Sequence, residues 1–251
     1  IARPDKSVSN MKGLLKILKA LPLLIAVPTT AGTGSETTLA AVITDSRKQY
    51  KYPINDFVLI PDYAVLDYRI TTGLPKNITA TTGMDALTHA VEAYIGKSTT
   101  PYTRKMAENA TVLIVHNIKK AYDDGSDKAA RTAMLKAAFC AGVAFTQSYV
   151  GYVHAVAHSL GGQYGIAHGL ANAVILPHFL DEYGSTVYKP LSKLAKISGI
   201  APKDSDEKTA AEMFIKWIKE TNRSMDIPEY IEGIQEKDIH KMAVHASKEG
   251  N

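Results

Sequence analysis

The sequence predicts two parts of different class, an α/β segment over residues 1–72 and a larger all-α segment over residues 73–251. Three observations predict it. Short β-prone runs, separated by Asp-Ser, Asn-Asp and Pro-Asp turn signals, crowd residues 22–68. Thr72-Gly73-Leu74-Pro75 then breaks the chain. From about Lys76 onward apolar residues recur at helical spacing almost to the end.

Taken in order, the stretch from residue 11 to 20 has Leu14, Leu15, Leu18 and Leu21 at helical spacing between lysines, and Pro22 stops the pattern, so a helix is expected there. Residues 23–27 form a continuous apolar run before Pro28, as a buried strand of an α/β layer would. A Gly- and Thr-rich loop comes next, over residues 29–36. Further strands are expected at residues 39–44, 49–52, 57–60 and 64–66. In the helical part the expected breaks fall near residues 96–101, 123–127, 161–165, 202–206 and 227–228. Residues 103–121 lack Gly and Pro and would span about 28 Å as one helix.

Composition narrows the function classes. With 45% hydrophobic and 22% charged residues the 251-residue chain can bury a substantial core, so disorder is excluded. A net charge of only +4, with no basic run beyond Lys119-Lys120, argues against a nucleic-acid partner. No apolar run approaches the ~20 residues that span a bilayer, so no membrane partner is expected. The single cysteine, Cys140, cannot form an internal disulfide, which fits a reducing compartment and gives a cytoplasmic expectation. The chain starts at Ile1, inside an amphipathic stretch, and reads as a segment of a longer polypeptide.

The chemistry concentrates in five residues. Asp85 and His89 are four apart, as are His154 and His158, and His168 lies ten residues further on. Spacing of four puts each pair on one helix face. The surroundings are small and apolar, and no Lys or Arg lies within four residues of Asp85. A buried carboxylate needs a cationic partner, and a bound metal would supply one. Imidazoles with a carboxylate suit Fe2+, Zn2+, Co2+ or Ni2+ better than Ca2+ or Mg2+. Spacing alone leaves core packing open beside the metal, since His116, His178, His240 and His245 occur without any cluster. Ala155 stands where a His-Glu-x-x-His metalloprotease would have its general base, which disfavours that activity.

The loop Thr29-Thr30-Ala31-Gly32-Thr33-Gly34-Ser35-Glu36 could offer amides and hydroxyls to a phosphate. Thr37 stands at the third Gly of a dinucleotide fingerprint and the Lys of a P-loop is absent, so an ordinary tight loop remains open. Lys51 could reach a cofactor ribose or phosphate, and Cys140 reads as core packing.

Ala26-Val27-Pro28-Thr29-Thr30-Ala31-Gly32-Thr33-Gly34-Ser35-Glu36, then GMDALTHAVEAY at residues 83–94, then residues 151–162 and His168-Gly169-Leu170-Ala171-Asn172-Ala173 together resemble the iron-containing, or group III, alcohol dehydrogenases. The resemblance covers most of residues 20–180 in order. It implies a dehydroquinate synthase-like fold: residues 1–72 as the C-terminal part of a dinucleotide-binding α/β domain, and residues 73–251 as the helical metal-binding domain. It implies metal ligands at Asp85, His89, His154 and His168, with His158 beside them as a proton relay. It also implies cofactor contacts at Thr29, Thr30, Gly32, Thr33 and Thr38, and at Lys51. The implied reaction is hydride transfer between NAD or NADP and a primary or small alcohol or aldehyde, with Fe2+, or Zn2+ or another divalent ion, as Lewis acid, in a homodimer.

Ser159 and Ala167 stand where the family commonly has Pro, and both positions bear on the substrate cleft. The family's upstream Gly-Gly-Gly-Ser pyrophosphate loop is not in these residues, so the chain alone is expected to be inactive. A glycerol dehydrogenase-like relative, or an inactive metal-binding fragment, is the alternative reading.

Overall fold

Among the described residues, the regular structure before residue 71 is short strands and 3-10 turns joined by irregular segments, and α-helices make up most of the chain after Pro75. The computed structural model describes residues 4–45 and 50–247. Among the described residues, five short strands build two small sheets. In the first, β1 (Gly13–Leu14) runs parallel to β4 (Tyr50–Asn55), and β3 (Ala40–Asp45) pairs antiparallel on the other side of β4, with Ala40 opposite Asn55. In the second, β2 (Ile25–Ala26) runs parallel to β5 (Tyr63–Ala64). A small apolar cluster of Ile17, Tyr52 and Ile54 underlies the first sheet.

The helix expected over residues 11–20 does not form. A 3-10 turn, Val8–Met11, leads into β1, and Leu15 and Leu18 take left-handed backbone angles, φ 53° and 49°. The reason is tertiary. Asp56 Oδ2 accepts the amides of Ile17 at 2.8 Å and Leu18 at 3.1 Å, while Ile17 turns into the cluster and Leu18 remains 71% exposed. Local periodicity yields to a buried carboxylate that satisfies two amides at once.

The strand expected at residues 23–27 shrinks to Ile25–Ala26 and is not buried: Leu23, Leu24, Ile25 and Val27 are all exposed. Residues 57–60 form a 3-10 turn, Phe57–Leu59, because Asp56 also caps it through Val58. Of the strand expected at residues 49–52, Gln49 lies outside the described residues and the rest belongs to β4.

The helical part holds α1 (Lys76–Ile95), α2 (Pro101–Asp123), α3 (Lys128–Ser148), α4 (Tyr152–Tyr164), α5 (His168–Tyr183), α6 (Ser185–Ile197), α7 (Glu207–Ser224) and α8 (Glu236–Ala246). Starts obey sequence chemistry. Thr100 and Thr103 form a capping box around Pro101, Asp127 caps α3 through Ala130, and Asp206 caps α7 through Thr209. The expected break at residues 161–165 moves later, since α4 runs to Tyr164 and ends at left-handed Gly165. The breaks at residues 149–151 and at Gly184 were not expected from the sequence.

Helix α1 is the axis of the bundle. It is buried on every side from Gly83 to Tyr94 and packs against α2, α3 and α5. Gly83 lies against Ile118 and Met134, where an added Cβ would come within 2.9 Å of Ile118 Cδ1. The main core runs from Ala31 in the Gly-Thr loop, through Ala80 on α1, to Met242 on α8. No described helix is long and apolar enough to cross a membrane.

Candidate metal centre

Burying α1 carries its polar residues inside with it. Asp85, Thr88, His89 and Glu92 are each at most 5% exposed. Two other elements reach this stretch. Gly169, the second residue of α5, sits on the α1 backbone, where a Cβ would stand 2.6 Å from Thr81 O and 3.5 Å from Asp85 Cβ. That close approach brings His168 Nε2 to 3.5 Å from Asp85 Oδ1. From α4, His154 Nε2 lies 3.8 Å from the same oxygen. The His154 ring stacks on His89 with centroids 4.4 Å apart, and Phe145 of α3 stacks on His89 at 4.2 Å.

The structure therefore gathers Asp85, His89, His154 and His168, with one candidate ligand atom from each all within 4.8 Å of one another. His89 Nδ1 and His154 Nε2 are buried with no hydrogen-bond partner among the described residues. Orphaned ring nitrogens beside a buried carboxylate are costly in a dry core, and a divalent cation would satisfy them. Three nitrogens and one oxygen fit such an ion, so the residues suit the group that the sequence implies.

The electrostatics keep Asp85 and His89 in their ligating forms. Burial works to raise the Asp85 carboxyl, but His89, His168 and His154 and the Asn172 amide outweigh it, and the net direction is down. Burial pushes the His89 imidazole down to about 3, against the pull of Asp85. A neutral imidazole and an ionised carboxylate are what a metal binds.

His158 stands outside this group of ligand atoms. It is half-buried one turn beyond His154, and its ring stacks on His168 with centroids 5.2 Å apart. Two supporting residues escaped the sequence reading. Glu92 bonds to His154 and Asn172 bonds to Asp85. Their signals were helical spacing: Glu92 lies seven residues after Asp85, and Asn172 four after His168.

The Gly-Thr loop contributes no atom to the cluster of four. Thr29 and Thr33 are exposed, Thr30 is half-buried and Thr38 is buried, its hydroxyl directed to backbone carbonyls of Ser35 and Ala40. Gly32 presses on α1, where a Cβ would meet Thr82 Cβ at 2.6 Å, less than one turn before Asp85. Left-handed Gly34 presses on Gly142 of α3 in the same way. Both glycines thus have a packing reason that sequence reading did not supply. Lys51 lies in β4, with its side chain outside the described residues. Ser159 ties α4 to α8 through Met242 O at 3.3 Å, and Ala167 precedes α5 without a side-chain cap.

The chain is similar to known proteins over nearly its whole length. Residues 4–68 match the family model for "Iron-containing alcohol dehydrogenase", and residues 79–251 match "Fe-containing alcohol dehydrogenase family, C-terminal". The chain is 39% identical to a 1,3-propanediol dehydrogenase of Citrobacter freundii, covering 100% of this chain and 65% of that protein. It is 37% identical to an NAD-dependent methanol dehydrogenase of Bacillus methanolicus, covering 98% of this chain and 65% of that one. Among solved structures, a 1,3-propanediol oxidoreductase superposes with a TM-score of 0.93 at 38% identity, covering 98% of this chain and 65% of that one. An alcohol dehydrogenase from Oenococcus oeni gives 0.93 at 37% identity, covering 98% and 64%. The chain thus spans just under two thirds of the length of these relatives.

Proposed function

Because the chain belongs to the iron-containing alcohol dehydrogenase family, we propose that it forms the metal-binding part of an enzyme that moves a hydride between a nicotinamide cofactor and a primary or small alcohol or aldehyde. The observation that carries this reading is the convergence of Asp85, His89, His154 and His168 within 4.8 Å, with two ring nitrogens left buried and unbonded among the described residues. We take these four as the metal ligands, and iron as the metal. Bound there, the ion supplies Lewis-acid polarisation of the alcohol or aldehyde oxygen.

The protein's own residues do the rest. Asp85 brings a buried carboxylate to the site, and the stacked rings of Phe145, His89 and His154 exclude water from one side of it. His158, half-buried and stacked on His168, is positioned to carry a proton between the site and solvent. The exposed hydroxyls of Thr29 and Thr33, and Thr30 between them, are taken to face the cofactor, with Gly32 seating the loop on α1. Thr38, being buried, and Lys51 are the less direct contacts in this reading. Residues 1–72 are read as the C-terminal part of the nucleotide-binding domain and residues 73–251 as the helical domain.

Named relatives include an NAD-dependent methanol dehydrogenase and an NADPH-dependent butanol dehydrogenase, which supports small alcohols and leaves both cofactors in the reading. The free thiol of Cys140, half-buried against the core, supports a reducing, cytoplasmic setting. A homodimer is kept as the expected assembly, to be checked by sedimentation of the full-length protein.

Elemental mass spectrometry of the chain after anaerobic purification tests the site. About one divalent metal per chain, lost in an Asp85→Ala, His154→Ala double variant, is the expected result. Equal metal content in the double variant overturns the ligand assignment. Absence of alcohol oxidation by the full-length protein with iron, zinc, cobalt and nickel overturns the activity.

A further inference from the structure

We infer that Glu92 is a positioning residue for the metal centre, setting the tautomer of His154 and anchoring the helix that carries it. This rests on reading Asp85, His89, His154 and His168 as a metal site. Glu92 lies on α1 three residues beyond His89 and is 4% exposed. Its Oε1 accepts the backbone N–H of Val153 at 2.8 Å, and its Oε2 lies 2.5 Å from His154 Nδ1.

The start of α4 is shaped around this carboxylate. Gly151, the residue before the helix, has no side chain to cap it, so Glu92 of α1 serves as acceptor for an amide of the first turn. Negative charge there also meets the positive end of the helix dipole. A Cβ on Gly151 would stand 2.8 Å from Glu92 Oε1, so only glycine admits the carboxylate at this position without a shift.

With a backbone donor on one oxygen, the carboxylate acts as an acceptor on the other as well, and His154 Nδ1 carries the proton. His154 Nε2 is then left bare. It is this nitrogen that is buried without a hydrogen-bond partner among the described residues and faces Asp85 Oδ1 at 3.8 Å. A metal ligand must present a lone pair, so one carboxylate both aims the ring and strips its far nitrogen of hydrogen.

The substitution that separates these roles is Glu92→Gln. The Gln carbonyl can still accept from Val153, but its amide, a donor, now meets Nδ1 and favours the tautomer with hydrogen on Nε2. Co2+ titration of the full chain, monitored by visible absorption and calorimetry, is expected to show affinity about 10–100-fold weaker in the variant. In a His154→Ala background the same substitution is expected to cause no further loss. The 15N shifts of His154 in the metal-free wild-type chain read the tautomer without relying on any variant, and protonated Nδ1 with bare Nε2 is expected. Equal Co2+ affinities, an undiminished loss in the His154→Ala background, or hydrogen on Nε2 would each overturn the inference. A wild-type chain that takes up no Co2+ overturns the metal reading and this inference with it, a failure seen before any substitution is made.

Discussion

Asn172 donates from Nδ2 to Asp85 Oδ1 at 2.7 Å, joining the first turns of α5 to the middle of α1 through a fully buried amide. The same nitrogen lies 3.1 Å from His168 Nε2, one turn back on α5. Asn172 therefore holds the carboxylate and the most exposed of the four candidate ligands in one arrangement. Replacing it by Leu keeps most of the volume and removes the donor. We expect the metal-free chain to lose about 1.5–3 kcal/mol, as for a hydrogen bond to a charged group, and Co2+ affinity to fall about tenfold or more. Urea unfolding and metal titration check the two effects separately, and an unchanged midpoint with unchanged affinity would sink the assignment.

Gly169→Ala should uncouple the site from the fold. The new Cβ would sit 2.6 Å from Thr81 O, so α5 must move away from α1 and take His168 with it. Overpacking of this kind costs about 1–3 kcal/mol. The cost to metal affinity is expected to exceed the cost to stability, because the contact that breaks is the one that seats His168 near Asp85. Parallel loss of both by the same free energy would argue that α5 is only a packing element.

Pro177 inside α5 has no N–H for Ala173 O, and Asn222 of α7 repairs the gap by donating from Nδ2 to that carbonyl at 2.6 Å. Asn222→Ala is expected to lower stability by about 1–3 kcal/mol, the cost of an unsatisfied buried group. In a Pro177→Ala background the backbone regains its own donor, so the same substitution should cost clearly less. The double-mutant cycle measures this coupling, and additive losses would show that the two residues act independently.

Asp56 makes a pH-dependent clasp. Burial acts to raise its carboxyl, but the amides of Leu18, Ile17 and Val58, with Lys6 nearby, outweigh burial and hold it below the ordinary carboxylate range. A depressed value means that the anchoring is complete above the unfolded value of about 3.9 and is lost as pH falls through the folded one. The amide proton shifts of Ile17 and Leu18 should therefore titrate together with a midpoint below about 3.9, and Asp56→Asn should abolish the transition. Midpoints that differ between the two amides would exclude Asp56 as their common partner.

Much of the candidate site was legible because helical spacing is a local property. Asp85 with His89, and His154 with His158, share faces whatever the rest of the fold does, and an apolar, Ala-rich setting marks those faces as buried. Spacing could not tell that His168 would join Asp85 while His158 would stand aside, because that depends on where α5 crosses α1. Glu92 escaped notice for the same reason. Its partners, Val153 and His154, are about sixty residues away in sequence. The helix expected at residues 11–20 failed in the opposite direction, where a correct local pattern lost to the distant carboxylate of Asp56.

The sequence by itself determined the class of each part, the positions of most helices, the family, and the five candidate residues for ligating or proton-carrying chemistry. All of these come from periodicity, turn residues and short motifs, which act over a few positions. Spacing left open which four of the five converge, and the tertiary structure alone shows that they do, which Asn and Glu bond to them, and that Gly32, Gly34 and Gly169 make close contacts with helices. The physical reason is that these contacts join residues remote in the chain. Only the packing of α5 on the buried axis of α1, and of α4 on α5 with its first turn held to Glu92, brings them within a few ångströms.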